Sequence, residues 1–283
     1  EMASTLGITI QELKLSSGVI GIEAEDISLE FWKKLKKHLP SCKLLGSTRM
    51  IEEIRMIKSK HEIKNLKRAC QITDTVFENV TEDSLRSGMT EIDVTKCICT
   101  KLIEEGAESW SFYPIVRSGN RSSLFGRSSG KKLTRGDMVL IDFGAQYEGY
   151  CADVTRMAII GQPSKKQEQI FEAIQTIEQE IMEGFKEGIR ASDVYRFTVQ
   201  ELKKAGYSKY QFGMIGHSLG IKTEERPIIA VDDQTTIRKN MVLAFEPGIY
   251  TPKFGVRLED NFLITGKGID VFSRFPKDLI GID

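Results

Sequence analysis

Met138-Val139-Leu140-Ile141-Asp142-Phe143 is an apolar run broken by one acid, and Met241-Val242-Leu243-Ala244-Phe245-Glu246 repeats the pattern later in the chain. A carboxylate inside such a strand costs several kcal/mol unless a cation or hydrogen bonds compensate it. Each run leads into a turn and a second strand carrying another acid. Asp142 and Asp153 are centred between Tyr147 and Glu148, next to Gly149, while Glu246 and Glu259 are centred within Thr251-Pro252-Lys253-Phe254. Strands folding back at those centres set each acid nearly opposite its mate. Two hairpins with facing acid pairs make a cage suited to hard divalent cations. Spacing alone also admits the plainer arrangement, in which Asp142 and Glu246 pair with Arg or Lys or sit at strand ends.

The chain has 283 residues, 40% hydrophobic and 28% charged, the composition of an ordinary globular protein of one large domain or somewhat more. Lys and Arg (40) balance Asp and Glu (40), so no broad attraction to nucleic acid or anionic membrane is expected. No run approaches the roughly 20 apolar residues of a membrane span, and no signal-peptide pattern is visible. Five cysteines (Cys42, Cys70, Cys97, Cys99 and Cys151) are scattered and odd in number, which fits a reduced, cytoplasmic setting. Cys97 and Cys99 diverge on a helix and read as half-buried thiols rather than a metal or redox pair.

Taken in order, residues 1–54 read as strand, helix, strand, helix: Gly18 to Ile22, Leu29 to Leu39 closed by Pro40, Cys42 to Leu45, then a short helix. About fifty residues bury little surface and rarely stand alone. The chain also opens on Glu1, so this stretch is expected to be the end of a larger N-terminal domain. Ser59 and Glu62 form a capping box ahead of a long helix with Ile63, Leu66, Cys70, Val76, Phe77 and Val80 on its buried stripe. Thr90 with Asp93 starts a second helix that Gly106 ends. Trp110 to Val116 reads as a strand and residues 117–132 as a loop. After the first acid hairpin, Ser164 with Gln167 opens a third helix, and Ser192 caps a fourth. An irregular segment holding Ile215-Gly216-His217-Ser218-Leu219-Gly220 precedes the second acid hairpin at about 241–265. The halves echo one another, which predicts a pseudo-symmetric α+β domain over residues 55–283.

Gly216 and Gly220 permit close backbone approach around His217, which makes that histidine a candidate fifth ligand. Two Asp, two Glu and one His are an oxygen-rich set favouring Mn²⁺, Co²⁺ or Fe²⁺, with Zn²⁺ also accommodated. Five such ligands exceed the needs of one ion. Two ions about 3.5–4 Å apart would use them all.

Asp142-Phe143-Gly144-Ala145, Tyr150-Cys151-Ala152-Asp153-Val154-Thr155-Arg156, Gly216-His217, Phe245-Glu246-Pro247-Gly248-Ile249-Tyr250 and Val256-Arg257-Leu258-Glu259-Asp260 together resemble the metallopeptidase family of Xaa-Pro dipeptidases, aminopeptidase P and methionine aminopeptidase. The resemblance runs in order over residues 55–275 and favours the proline-specific members. It implies the pita-bread (creatinase/aminopeptidase) fold for residues 55–283, with residues 1–54 as the C-terminal remnant of a creatinase-like N-terminal domain. It implies that Asp142, Asp153, His217, Glu246 and Glu259 hold two divalent ions, manganese being the expected one. By the same resemblance, Asp153 and Glu259 bridge the ions and Glu246 passes protons to and from the attacking water. Arg257 sits beside the site, orienting Glu259 or the substrate, and Tyr250 lies just outside the ligands. The implied activity is a cytoplasmic, homodimeric dipeptidase or aminopeptidase. It would hydrolyse the bond before proline in small peptides through a metal-bound hydroxide.

Two departures qualify this. The family has a histidine in the loop before the first metal strand, where Arg121-Ser122-Ser123-Leu124-Phe125-Gly126-Arg127 has none, and a second one where Glu224 stands. Losing one such transition-state donor costs about 2.7–4 kcal/mol, or two to three decades in rate. Arg127 and Arg226 are candidates to replace the missing charge. Other readings are therefore a non-peptidase member of the fold, a creatinase-like hydrolase or lyase acting on a small molecule, or a catalytically impaired binding protein.

Overall fold

Capping chemistry starts the helices that frame the molecule, here described from a computed structural model covering residues 1–283 apart from the side chain of residue 83. The Ser59 hydroxyl accepts the Glu62 N–H at 3.3 Å while the Glu62 carboxylate accepts the Ser59 N–H at 2.8 Å, opening the Lys60–Asp83 helix. The same reciprocal pair, Thr90 with Asp93 and Ser164 with Gln167, opens the Glu91–Glu104 and Lys165–Gly184 helices. Ser192 is not a cap. It lies inside the first turn of the Ala191–Lys204 helix, whose N-cap is Arg190. The Ala191 and Ser192 N–H groups instead donate to the carbonyls of Thr235 and Asp233, so no capping side chain is needed.

The chain divides into two compact units, Glu1–Arg55 and Met56–Asp283. In the first, the parallel strands Val19–Ile22 and Lys43–Gly46 are joined through the Leu29–His38 helix. A helix over Met2–Glu12 precedes them, which the sequence reading does not anticipate. Its Thr5, Gly7, Ile8 and Thr9 are weak helix formers, and packing of Ala3 and Ile10 into the cluster with Leu35, Leu39 and Leu44 outweighs propensity.

The second unit is the expected mixed helix-and-sheet fold. One sheet runs Ile280–Ile282, Val154–Ile160, Met138–Phe143, Ile115–Ser118; the other runs Glu225–Ala230, Met214–Ser218, Val242–Phe245, Asp260–Thr265, Gly268–Val271. Met138–Phe143 is covered on both faces. Val139, Ile141 and Phe143 meet Val76, Phe77, Ile98 and Leu102 of two helices. Met138 and Leu140 meet Ile170, Ile174 and Ile177 together with Ile249, Val256 and Leu258 of the second acid hairpin. A strand buried twice reads as a continuous apolar run. Asp142 lies on the Met138/Leu140 face, so the same packing that buries this strand brings the second hairpin to its acid.

Met214–Ser218 is a strand where an irregular segment is expected. A Cβ on Gly216 would sit 2.4 Å from the Ala244 carbonyl oxygen, so glycine is what lets this strand pair with Val242–Phe245. Among the described residues no helix is long and apolar enough to cross a membrane.

Gly144 joins the Met138–Phe143 strand to the hairpin tip, and a Cβ there would fall 1.7 Å from the backbone oxygen of Ala152. Gly144→Ala therefore forces the two legs of the first acid hairpin apart and is expected to cost about 3 kcal/mol by overpacking. Thermal unfolding of the variant measures this, and an unchanged midpoint would refute it.

Candidate metal centre

Register decides where the first pair of acids meets. Glu148 (φ 49°) and Gly149 (φ 76°) form a two-residue turn with both φ values positive, closed by the Tyr147–Tyr150 pair. Its centre is one residue beyond the expected one. Asp142 therefore pairs with Thr155 and not with Asp153. The resulting shift of two residues keeps Asp153 on the expected face. The second hairpin has the expected register: Phe245 pairs with Asp260 and Gly248 with Arg257, so Glu246 faces Glu259. His217 enters from the neighbouring strand, paired with Ala244.

The five predicted ligands converge. Asp153, His217 and Glu259 each bring one ligand atom within 4.8 Å of the others. His217 Nε2 lies 3.6 Å from an oxygen of Asp153 and 3.6 Å from one of Glu246. Its Nδ1 is 3.1 Å from the Ser218 carbonyl. A carbonyl only accepts, so Nδ1 carries a hydrogen, and Nε2 is the ring nitrogen that faces the acids. Arg257 reaches Asp142 with one guanidinium nitrogen, and another is 3.5 Å from Glu246. Pairing with an arginine is thus part of the arrangement, but one guanidinium stands against four carboxylates.

Their protonation behaviour records the imbalance. Burial pushes Glu246 up to about 7, with Arg257 opposing and Asp142 and Glu224 adding to the rise. Burial and the neighbouring Glu246 push Glu259 up to about 8. Asp153 is driven well above the carboxylate range by burial, then by Glu259, Asp142 and Glu246. Asp142 rises by burial against the pull of Arg257. Asp142 Oδ1 and Glu259 Oε1 are buried with no hydrogen-bond partner among the described residues, while the second oxygen of each is held by Arg257 and by the Thr155 hydroxyl (2.7 Å) respectively. Orphaned hard oxygens in a negative cluster fit divalent cations.

Three residues outside the predicted set shape this centre. Asn261 accepts the Asp153 N–H at 2.9 Å and donates to its carbonyl, gripping both sides of that residue. Arg156, fully buried, donates to the Glu259 carbonyl at 2.8 Å and to Asp260 at 2.7 Å. Burial works against the Asp260 charge, but Arg156 and Lys277 hold its carboxyl down at about 2. Thr155 accepts from Arg257 Nε at 2.9 Å. All three positions adjoin or follow predicted ligands in sequence, and polar residues within apolar strands are the signal that marks them. Of the two candidate replacement cations, Arg226 lies 3.5 Å from Asp233 and Arg127 lies over the Tyr113 ring.

Residues 64–266 match metallopeptidase family M24. The Xaa-Pro dipeptidase of Pyrococcus horikoshii is 35% identical over 263 residues, 92% of this chain and 74% of that protein. The Xaa-Pro dipeptidase of Pyrococcus furiosus is 35% identical over 233 residues, covering 82% and 67%. Among solved structures, the Xaa-Pro dipeptidase from Bacillus anthracis superposes with a TM-score of 0.94 at 32% identity, covering 100% of this chain and 79% of that one. The X-Pro aminopeptidase from Thermotoga maritima gives 0.91 at 30% identity, covering 100% and 80%.

Without metal, the folded cage holds protons on Glu246 and Glu259 that the unfolded chain releases near the ordinary value of 4.5. Stability from this source is full below that value and is lost as pH rises towards 7 and 8. The unfolding midpoint of chelator-treated protein is expected to fall between about pH 5 and about pH 8, and added Mn²⁺ to raise it most at the upper end. A midpoint indifferent to both pH and Mn²⁺ would show that the acids are not crowded.

Proposed function

The chain belongs to metallopeptidase family M24, and from that membership we propose that it is a hydrolase that cleaves Xaa-Pro peptides with the help of two divalent ions, manganese being the expected pair. The observation that carries the reading is the convergence of four carboxylates, three of them buried and Glu246 partly so, with one buried imidazole, contributed by two hairpins and a neighbouring strand, two oxygens being left orphaned among the described residues. Asp142, Asp153, His217, Glu246 and Glu259 are assigned as the ligands. The activity is assigned to residues 55–283. Five unpaired thiols support a reducing, cytoplasmic setting, and a homodimer is proposed from the resemblance in sequence.

Bound divalent ions would supply the positive charge that acidifies a water molecule and polarises the scissile carbonyl. Glu246 stands between His217 on one oxygen and Arg257 on the other. Its carboxylate takes the proton of the attacking water and returns it to the departing proline nitrogen. Arg257 fixes Asp142 and Glu246 relative to one another, while Thr155 and Arg156 fix Glu259. With Phe125 and Glu224 in stretches where the family carries histidines, turnover should be slower by two to three decades for each donor that nothing replaces.

The non-peptidase readings gain nothing comparable: relatives at 35% identity are named Xaa-Pro dipeptidases, and every acid of the expected cage is present. Xaa-Pro dipeptides and longer Xaa-Pro peptides incubated with added Mn²⁺ test the proposal. Glu246→Gln is expected to lower turnover by about 10²- to 10⁴-fold. Asp153→Asn is expected to lose bound metal in elemental analysis. Full activity in the first variant, or full metal content in the second, would overturn the assignment.

A further inference from the structure

The sheet that carries Asp142 also holds a buried cation that no carboxylate pairs with among the described residues. Arg117 is 4% exposed, and its Nε has no hydrogen-bond partner among them. Burial and the nearby Arg121 pull its pKa down while Glu91 props it up, and a guanidinium stays charged all the same. The Glu91 oxygens are engaged elsewhere. One accepts the Ser118 N–H (2.9 Å) and hydroxyl (3.0 Å), and the other accepts the Ser129 N–H (2.9 Å), the Ser129 hydroxyl (2.8 Å) and Arg121 Nε (3.0 Å). A charge buried without a partner is costly, so a ligand that supplies the partner is bound favourably.

Register sets Arg117 on the face of the acid cage. Ile115 pairs with Asp142 and Arg117 with Leu140, while Val116 between them pairs with Ile141 on the opposite, helix-covered face. The side chain ends in the 121–127 loop, where the family's histidine is missing: a Cβ on Gly126 would sit 2.7 Å from Arg117 Nη1. Gly126 has a φ of 130°, a conformation that side-chain-bearing residues rarely adopt, and the space beside it belongs to the guanidinium. The Ser122 hydroxyl accepts the Gly255 N–H at 2.8 Å and Ser123 donates to the Thr251 carbonyl, which fastens this loop to the hairpin carrying Arg257 and Glu259.

We propose that Arg117, reaching into the space beside Gly126, binds the free carboxylate of the substrate and so selects Xaa-Pro peptides that end at the proline. The inference rests on the peptidase reading and names its substrate class. Four cage acids, with Glu224 adding to the field at Glu246, repel a substrate carboxylate, and Arg257 is already committed to Asp142 and Glu246. Arg127 and Arg226 are engaged with Tyr113 and Asp233. The step from Ile115, opposite Asp142, to Arg117 is about 7 Å along the strand. A carboxylate one residue beyond the scissile bond lies about 3.5 Å from it, and a guanidinium meets it at about 2.9 Å. Each further residue carries the carboxylate about 3.5 Å farther on and out of that range. The planar fork of arginine suits a carboxylate better than a single oxygen.

Reduced-bond analogues of Ala-Pro and of its C-terminal amide, which cannot be cleaved, provide the test by calorimetric titration of the Mn²⁺-loaded protein. The parent should bind the carboxylate analogue about tenfold or more tighter than the amide. Arg117→Gln should weaken the carboxylate analogue by that factor and leave the amide unchanged, and Arg117→Lys should keep part of the preference. Because Arg117→Gln removes an unpaired buried charge, its unfolding midpoint should equal or exceed the parent's. Equal affinities in the parent, a preference that survives in Arg117→Gln, or a midpoint that falls in that variant would overturn the assignment. Turnover of Ala-Pro by the parent is read in parallel. A preference that depends on Arg117 without turnover keeps the carboxylate site and removes the peptidase; turnover without such a preference does the reverse.

Discussion

Mutual repulsion among Asp142, Asp153, Glu246 and Glu259 is the constraint on which this fold turns. Four carboxylates crowded together are each harder to ionise than one alone, because burial and the neighbouring acids raise the cost. Arg257 offsets a single charge. What remains must be met by protons or by cations, and the hard oxygen donors favour cations whenever these are present. A chain that pays such a cost in its interior has to recover it elsewhere, and the sheets and helices around the cage are packed accordingly.

The recovery is visible in the Met138–Phe143 strand. Its alternate side chains join two separate apolar clusters, one built on the Lys60–Asp83 and Glu91–Glu104 helices and the other on Lys165–Gly184. Arg156 adds a polar counterpart. Its guanidinium is fully buried but meets Asp260 and several carbonyls, so the charge next to Glu259 is satisfied on all sides. The centre is thus flanked by one ion-paired network that is complete and is itself a network left incomplete.

Much of this is legible in the residues. A strand buried on both faces is apolar throughout, so the single acids at Asp142 and Glu246 stand out, and capping boxes at Ser59, Thr90 and Ser164 mark helix starts because they satisfy N–H groups locally. The turn at Glu148-Gly149 is harder to place, since only backbone geometry tells which two residues take positive φ. Met214–Ser218 hides because a glycine inside a strand looks like a break until the approach of Ala244 explains it. Ser192 misleads because distant backbone carbonyls do the capping. Asn261 and Arg156 act on main-chain atoms more than a hundred residues away, a relation with no local sequence signature.

Asn261 has one more effect. By gripping both the N–H and the carbonyl of Asp153, it welds the peptide of one hairpin to a strand of the other, 108 residues along the chain. Local breathing of either hairpin would break two hydrogen bonds at once and strand a buried amide. Opening is therefore shared or does not occur, and the two halves that echo each other in sequence are coupled at the one place where their independent motion would scatter the ligands.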